Sequence, residues 1–253
     1  MNITDYSKEQ IQEGLEKARK EHDGVNDQIR LLFAPIRIDE ENFDIACNIY
    51  SRIDPGGFNT AVVVEAYDEV LEKKLPMPSN RFFKTPLGEV PVNDFMRNEF
   101  CDEEDDFFIH DEGYSKQMSL FQQLMFLQTV KEDFSALSIQ IADREQPIVK
   151  ELAYVLEEVL ASRSALLIFC CELANSRKKE FERIRKMVKK KNHSGLLNYL
   201  NSGESHIEGT TSFIAGVLVA NTWELNLNFL NGEYDRYNGS LLTAYGDREK
   251  VLF

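Results

Sequence analysis

Apolar residues recur along this chain in two rhythms, a helical one and a strand one, which alternate from start to finish. Over residues 7–22, Ile11, Leu15 and Ala18 repeat at helical spacing. Ser7 stands ahead of them with Gln10 three residues on, the spacing of a capping box. Residues 29–34 are a short apolar run halted by Pro35, as a strand would be. Residues 41–53 suit a helix, and Asp54-Pro55-Gly56-Gly57 breaks it. Residues 60–65 are β-branched and apolar without alternation, the pattern of a strand buried on both faces.

The second half continues the alternation. A Pro-rich loop over residues 75–91 leads into a helix over 93–101 and an acidic turn at 102–106. Residues 117–129 form a helix with Leu120, Leu124 and Leu127 on one face, and 136–142 alternate like a strand. Helices are then predicted over 146–160, 177–190, 194–200 and 207–221, and strands over 164–171, 223–230 and 240–245. Alternating strands and helices with no repeat and no dividing linker argue for one layered α/β domain spanning residues 1–253.

Charge narrows the partners. The net charge is −14, with 43 acidic against 29 basic residues, which disfavours nucleic acid and anionic membrane. The exception is residues 177–191, where nine basic side chains face two acidic ones, a local balance of +7. Phe181, Ile184 and Val188 form an apolar stripe there, so the segment reads as a docked helix with a solvated basic face balancing acidic neighbours such as 102–106. No apolar run of about 18 residues suggests a membrane span. The start lacks the pattern of a signal peptide, and a cytoplasmic location is expected. Cys47, Cys101, Cys170 and Cys171 have no CxxC spacing and read as reduced, structural thiols, with Cys170 and Cys171 on opposite faces of one strand. Neither GxGxxG, GxxxxGK[ST] nor GxSxG occurs.

The stretch Phe82-Phe83-Lys84-Thr85-Pro86-Leu87-Gly88-Glu89-Val90-Pro91-Val92-Asn93 resembles the signature loop of the Memo-like proteins, also called AmmeMemoRadiSam system protein B. The resemblance runs from about Ile29 onward, and residues 1–28 are more divergent. It implies a layered α/β/α-type fold with a mostly parallel central sheet, shared with the class III extradiol dioxygenases, and a His-rich metal pocket. The departures fall on that pocket. The family's Ala-Pro-His-Ala-Gly is here Ala34-Pro35-Ile36-Arg37-Ile38, and isoleucine has no lone pair to offer a metal. Its Gly-Pro-Ser-His-His becomes Glu65-Ala66-Tyr67-Asp68, and its His-Ser-x-Glu becomes Tyr114-Ser115-Lys116-Gln117. Its Ser-Ser-Asp-Phe-x-His becomes Cys170-Cys171-Glu172-Leu173-Ala174-Asn175, and its late Cys or His falls on Glu208 of Ile207-Glu208-Gly209.

Together these substitutions remove the imidazole and thiolate donors that a borderline metal requires. His22, His110, His193 and His206 read as surface residues, so no metal or other cofactor is expected. The vestigial pocket would be bordered by Ile36, Tyr67, Asp68, Tyr114, Gln117, Glu172, Asn175 and Glu208. The expected function is non-catalytic: binding a small molecule, a peptide or a protein partner. The alternative is a hydrolase, lyase or dioxygenase-like enzyme in which Asp68, Glu172 and Glu208 converge on a hard cation such as Mg²⁺ or Ca²⁺. Converging carboxylates favour the enzyme; an apolar plug led by Ile36 favours the binder.

Overall fold

The computed structural model describes residues 6–22, 24–67, 69, 71–72, 74–111, 114–115, 118–143, 145–231 and 237–248. Ten strands and eight α-helices follow in the order α1 (Lys8–Arg19), β1 (Ile29–Ala34), α2 (Phe43–Tyr50), β2 (Thr60–Ala66), β3 (Leu75–Met77), β4 (Phe82–Thr85), β5 (Gly88–Pro91), α3 (Asp94–Glu103), β6 (Phe107–Ile109) and α4 (Ser119–Val130) among the described residues. There follow β7 (Ser135–Ile141), α5 (Gln146–Leu160), β8 (Ala165–Cys170), α6 (Lys178–Lys189), α7 (His193–Leu200), α8 (Thr210–Thr222), β9 (Asn226–Phe229) and β10 (Ala244–Asp247).

The central sheet has six strands in the order β7-β2-β8-β1-β10-β9. The first four run parallel, and β10 and β9 add antiparallel. Strand register sends alternate side chains into two cores. Leu31, Phe33, Val62 and Val64 join one with α3, α5, α6, α7 and α8. Leu32, Ala34, Ala61 and Val63 join the other with α1, α2 and α4. The result is the expected α/β/α layering with a mostly parallel sheet. Cys170, the last residue of β8, and Cys171 just after it fall in opposite cores.

Local chemistry accounts for the element boundaries. Ser7 and Gln10 form both halves of the capping box on α1, which buries Ile11, Leu15 and Ala18. α8 lies close on the sheet because Gly216 carries no side chain: a Cβ there would stand 2.4 Å from Phe33 Cε1. Ser212 donates its hydroxyl to the Val64 carbonyl at 3.0 Å, satisfying a buried polar group at this contact.

Several expectations need correcting. The supposed loop over 75–91 holds three short strands; β4 and β5 form a hairpin with Thr85 opposite Gly88 and Pro86-Leu87 as its turn. Thr85 Oγ1 accepts from Leu87 N at 3.1 Å and donates to Gln128 Oε1 at 2.5 Å, fastening the turn to α4. α4 is buried on every side from Ser119 to Leu127, not on one face alone. Trp223 caps the C-terminus of α8 instead of opening a strand. α8 starts at Thr210, because Gly209 takes φ +70° as its N-cap.

Candidate functional site

The carboxyl ends of β1, β2 and β8 share one edge of the sheet, since these strands are parallel. Crevices outside such ends are where open α/β sheets bind ligands. Ala34 and Cys170 are register partners, and Cys171 N donates to the Ala34 carbonyl at 3.0 Å, so the turns after β1 and β8 leave the sheet side by side. Beyond them Glu172 and Glu208 form an antiparallel bridge, each N–H donating to the other's carbonyl at 2.9 Å. Glycine is required next to it: a Cβ on Gly209 would lie 2.6 Å from the Cys170 carbonyl oxygen, and Ile36 Cδ1 packs over the same atom position at 3.3 Å.

The bridge holds two carboxylates at one place, and Arg37 lies between them. Its Nη2 is 2.8 Å from Glu208 Oε2 and 3.8 Å from Glu172 Oε1. The Arg37 N–H also donates to Glu172 Oε2 at 3.4 Å. Asn42 completes the cluster: its Nδ2 donates to the Arg37 carbonyl at 2.8 Å and reaches Glu172 Oε1 at 3.5 Å. Its Oδ1 accepts from Ser240 N at 2.8 Å, so a side chain only 3% exposed is fully committed. Burial pushes the Glu172 carboxyl up, and the Arg37 guanidinium only partly counters it. Burial works against the Arg37 charge as well, but the bond to Glu208 and the pull of Glu172 outweigh it. The Arg37–Glu208 contact is open to water and is worth roughly 0–1 kcal/mol by itself; Glu172, 17% exposed, is the partner that needs a cation.

A third carboxylate sits deeper in the same edge. Glu65, 6% exposed, accepts from Leu120 N at 3.2 Å at the start of α4 and is the register partner of Cys170. Burial raises its pKa to about 7, against hydrogen bonds from Leu120 and Ser119. Nearby polar groups of α4 are also spoken for. Gln122 Oε1 accepts from Ile38 N at 2.6 Å, and Gln123 Nε2 donates to the Pro35 carbonyl at 2.9 Å. These bonds fix the turn that carries Ile36 and Arg37.

Of the residues expected at the pocket, Ile36, Glu172 and Glu208 come together. Tyr114 packs with Phe83 and Phe121, at ring-centroid distances of 6.3 and 6.0 Å. Asn175 opens a 3₁₀ turn and lines a cleft of about 640 Å³ with Glu40, Glu41, Asp44 and Tyr237. Tyr67 follows β2 with its N–H bonded to the Ile141 carbonyl at 2.9 Å. Asp68 and Gln117 lie outside the described residues. His206 is an exposed loop residue, as expected, and its Nδ1 lies 3.1 Å from Glu180 Oε2. Glu180 also accepts from His206 N and Ser205 Oγ, which anchors the loop before Glu208 to α6. Arg37, Asn42 and Glu65 were missed; the signal for Arg37 was a strong base directly after the replaced ligand position.

The residues do not fit the family's metal. Ile36 offers hydrocarbon where a ligand is needed, and a guanidinium holds the point where the two carboxylates meet. Cys170 and Cys171 are fully buried, which keeps both thiols protonated. Among the described residues no group of three or more His, Cys, Asp or Glu side chains is placed to hold an ion.

Fold and site thus define a layered α/β protein with a carboxylate–arginine cluster at the carboxyl end of a mostly parallel sheet, beside the cleft lined by Glu41 and Asn175. The family profile of the Memo-like proteins matches residues 6–222, and the chain belongs to that family. It is 34% identical over 97 residues to a MEMO1 family protein of Thermotoga neapolitana. That alignment covers 36% of this chain and 34% of the relative, so the chain spans about a third of that protein's length. Among the described residues no helix is long and apolar enough to cross a membrane.

Proposed function

We propose that this Memo-like chain acts by binding, without the family's metal chemistry, and that its crevice takes a small molecule, a peptide or a segment of a protein partner. The observation that carries this is the triad of Ile36, Arg37 and the Glu172–Glu208 bridge: the imidazole and thiolate donors are gone, and a guanidinium pairs with the two carboxylates that stand there. Four free cysteines, three of them buried, suit a reducing cytoplasm. The test is elemental analysis of protein purified without chelator from medium containing iron, copper and zinc. Metal well below one ion per chain is expected; stoichiometric iron or zinc released only on unfolding overturns the proposal.

A second reading has its own support. Two carboxylates do converge within 4 Å of one atom, and Glu65 has a pKa of about 7, where a general acid or base works best. Hydrolase, lyase or dioxygenase-like turnover that is lost in Glu65→Gln, while the fold persists, would favour it.

A further inference from the structure

The backbone bridge between Glu172 and Glu208 brings two carboxylates together whether or not anything neutralises them. Such a pair needs positive charge, and elsewhere a hard cation supplies it. Here the nearest positive charge is covalent. Arg37 reaches both carboxylates through one nitrogen, and its own N–H adds a further bond to Glu172. Asn42 holds the Arg37 carbonyl, so the turn is fastened from behind.

We infer that Arg37 is a tethered substitute cation: it occupies a latent divalent-cation site formed by Glu172 and Glu208 and keeps that site closed. The inference rests on the non-metal reading of the crevice but goes further, since it assigns an occupant and a way to expose the site. Arginine suits the role because it stays charged at any accessible pH and presents donors in a fixed fork. Neither Ile36 nor the fully bonded Asn42 can take its place.

The test is Mn²⁺ titration, followed by the loss of the free-ion paramagnetic resonance signal, on the full chain and on three variants. Wild type and Arg37→Lys, which both keep a cation, are expected to bind no Mn²⁺ at this site. Arg37→Ala is expected to gain Mn²⁺ binding that wild type lacks, because a positive charge within 4 Å of the carboxylates is gone. Arg37→Ala combined with Glu208→Gln should lose that gain. If folded Arg37→Ala gains no Mn²⁺ binding, the inference fails, and Arg37→Gln decides the question in the same way should the alanine variant not fold. Methylguanidinium should raise the melting temperature of Arg37→Ala and leave wild type unmoved; equal effects on both also overturn the inference. Stoichiometric iron or zinc in wild type would sink the functional proposal, whereas metal-free wild type with an unresponsive variant sinks only this one.

Discussion

Replacing Glu65 with glutamine should make the protein more stable above neutral pH and leave it nearly unchanged in acid. Glu65 is 6% exposed, and burial lifts its pKa from 4.5 to about 7. Two effects compete at this carboxyl. The first turn of α4 donates Leu120 N and hydrogen-bonds through Ser119, which favours the charged form. Loss of water opposes it and wins. A raised pKa means that the folded state holds its proton longer than the unfolded chain does. The stabilising contribution is therefore fully present below the unfolded value of 4.5 and is lost as pH rises through about 7. The difference between those limits corresponds to about 3 kcal/mol. Glutamine keeps a carbonyl acceptor for Leu120 N and never ionises, so its stability should not fall over this window. Urea unfolding at pH 4, 5, 6, 7 and 8 measures both proteins. Should Glu65→Gln lose stability at pH 8, or keep the wild-type pH dependence, the helix terminus has won and Glu65 is a buried anion.

Gly209→Ala should cost roughly 2–3 kcal/mol, since it places a Cβ 2.6 Å from a carbonyl oxygen at φ +70°; chemical denaturation reads the loss directly. Glu180→Ala removes the acceptor that Ser205 and His206 share and should cost about 1 kcal/mol, because water can reach both donors, with faster hydrogen exchange at His206 and Ile207. Ser7→Ala removes one half of the α1 capping box at a cost of about 1 kcal/mol, seen as a lowered urea midpoint with unchanged slope.

How legible the molecule was depended on whether the deciding interactions are local. The bounds of β1 and α5 and the cap of α1 follow from periodicity and from Pro35 and Ser7, all local in sequence. The hairpin over Phe82–Pro91 was hidden because its prolines and glycine suggest irregular chain, although Pro91 sits at the strand's end, where a missing N–H is harmless. Residues 207–209 read as helix because Ile207 continues an apolar rhythm into α8, yet Glu208 pairs with Glu172, 36 residues earlier. Tertiary pairing overrode local preference there. The replaced ligand positions were visible one by one against the family pattern, and Glu172 and Glu208 do meet. Arg37 could not be placed, because its partners are distant in sequence and no spacing rule joins them. The apolar character of 117–129 was plain, but only the packing shows Glu65 beneath the start of α4.

Trp223 gives this protein a built-in optical gauge. It is the single tryptophan, 7% exposed, and its indole N–H is enclosed with no hydrogen-bond partner among the described residues. Its emission should be blue-shifted in the native state and move red when the core that holds α8 opens to water. Because it reports only the core that contains α8, comparing its transition with far-ultraviolet dichroism would reveal whether the two sides of the sheet melt together or in turn.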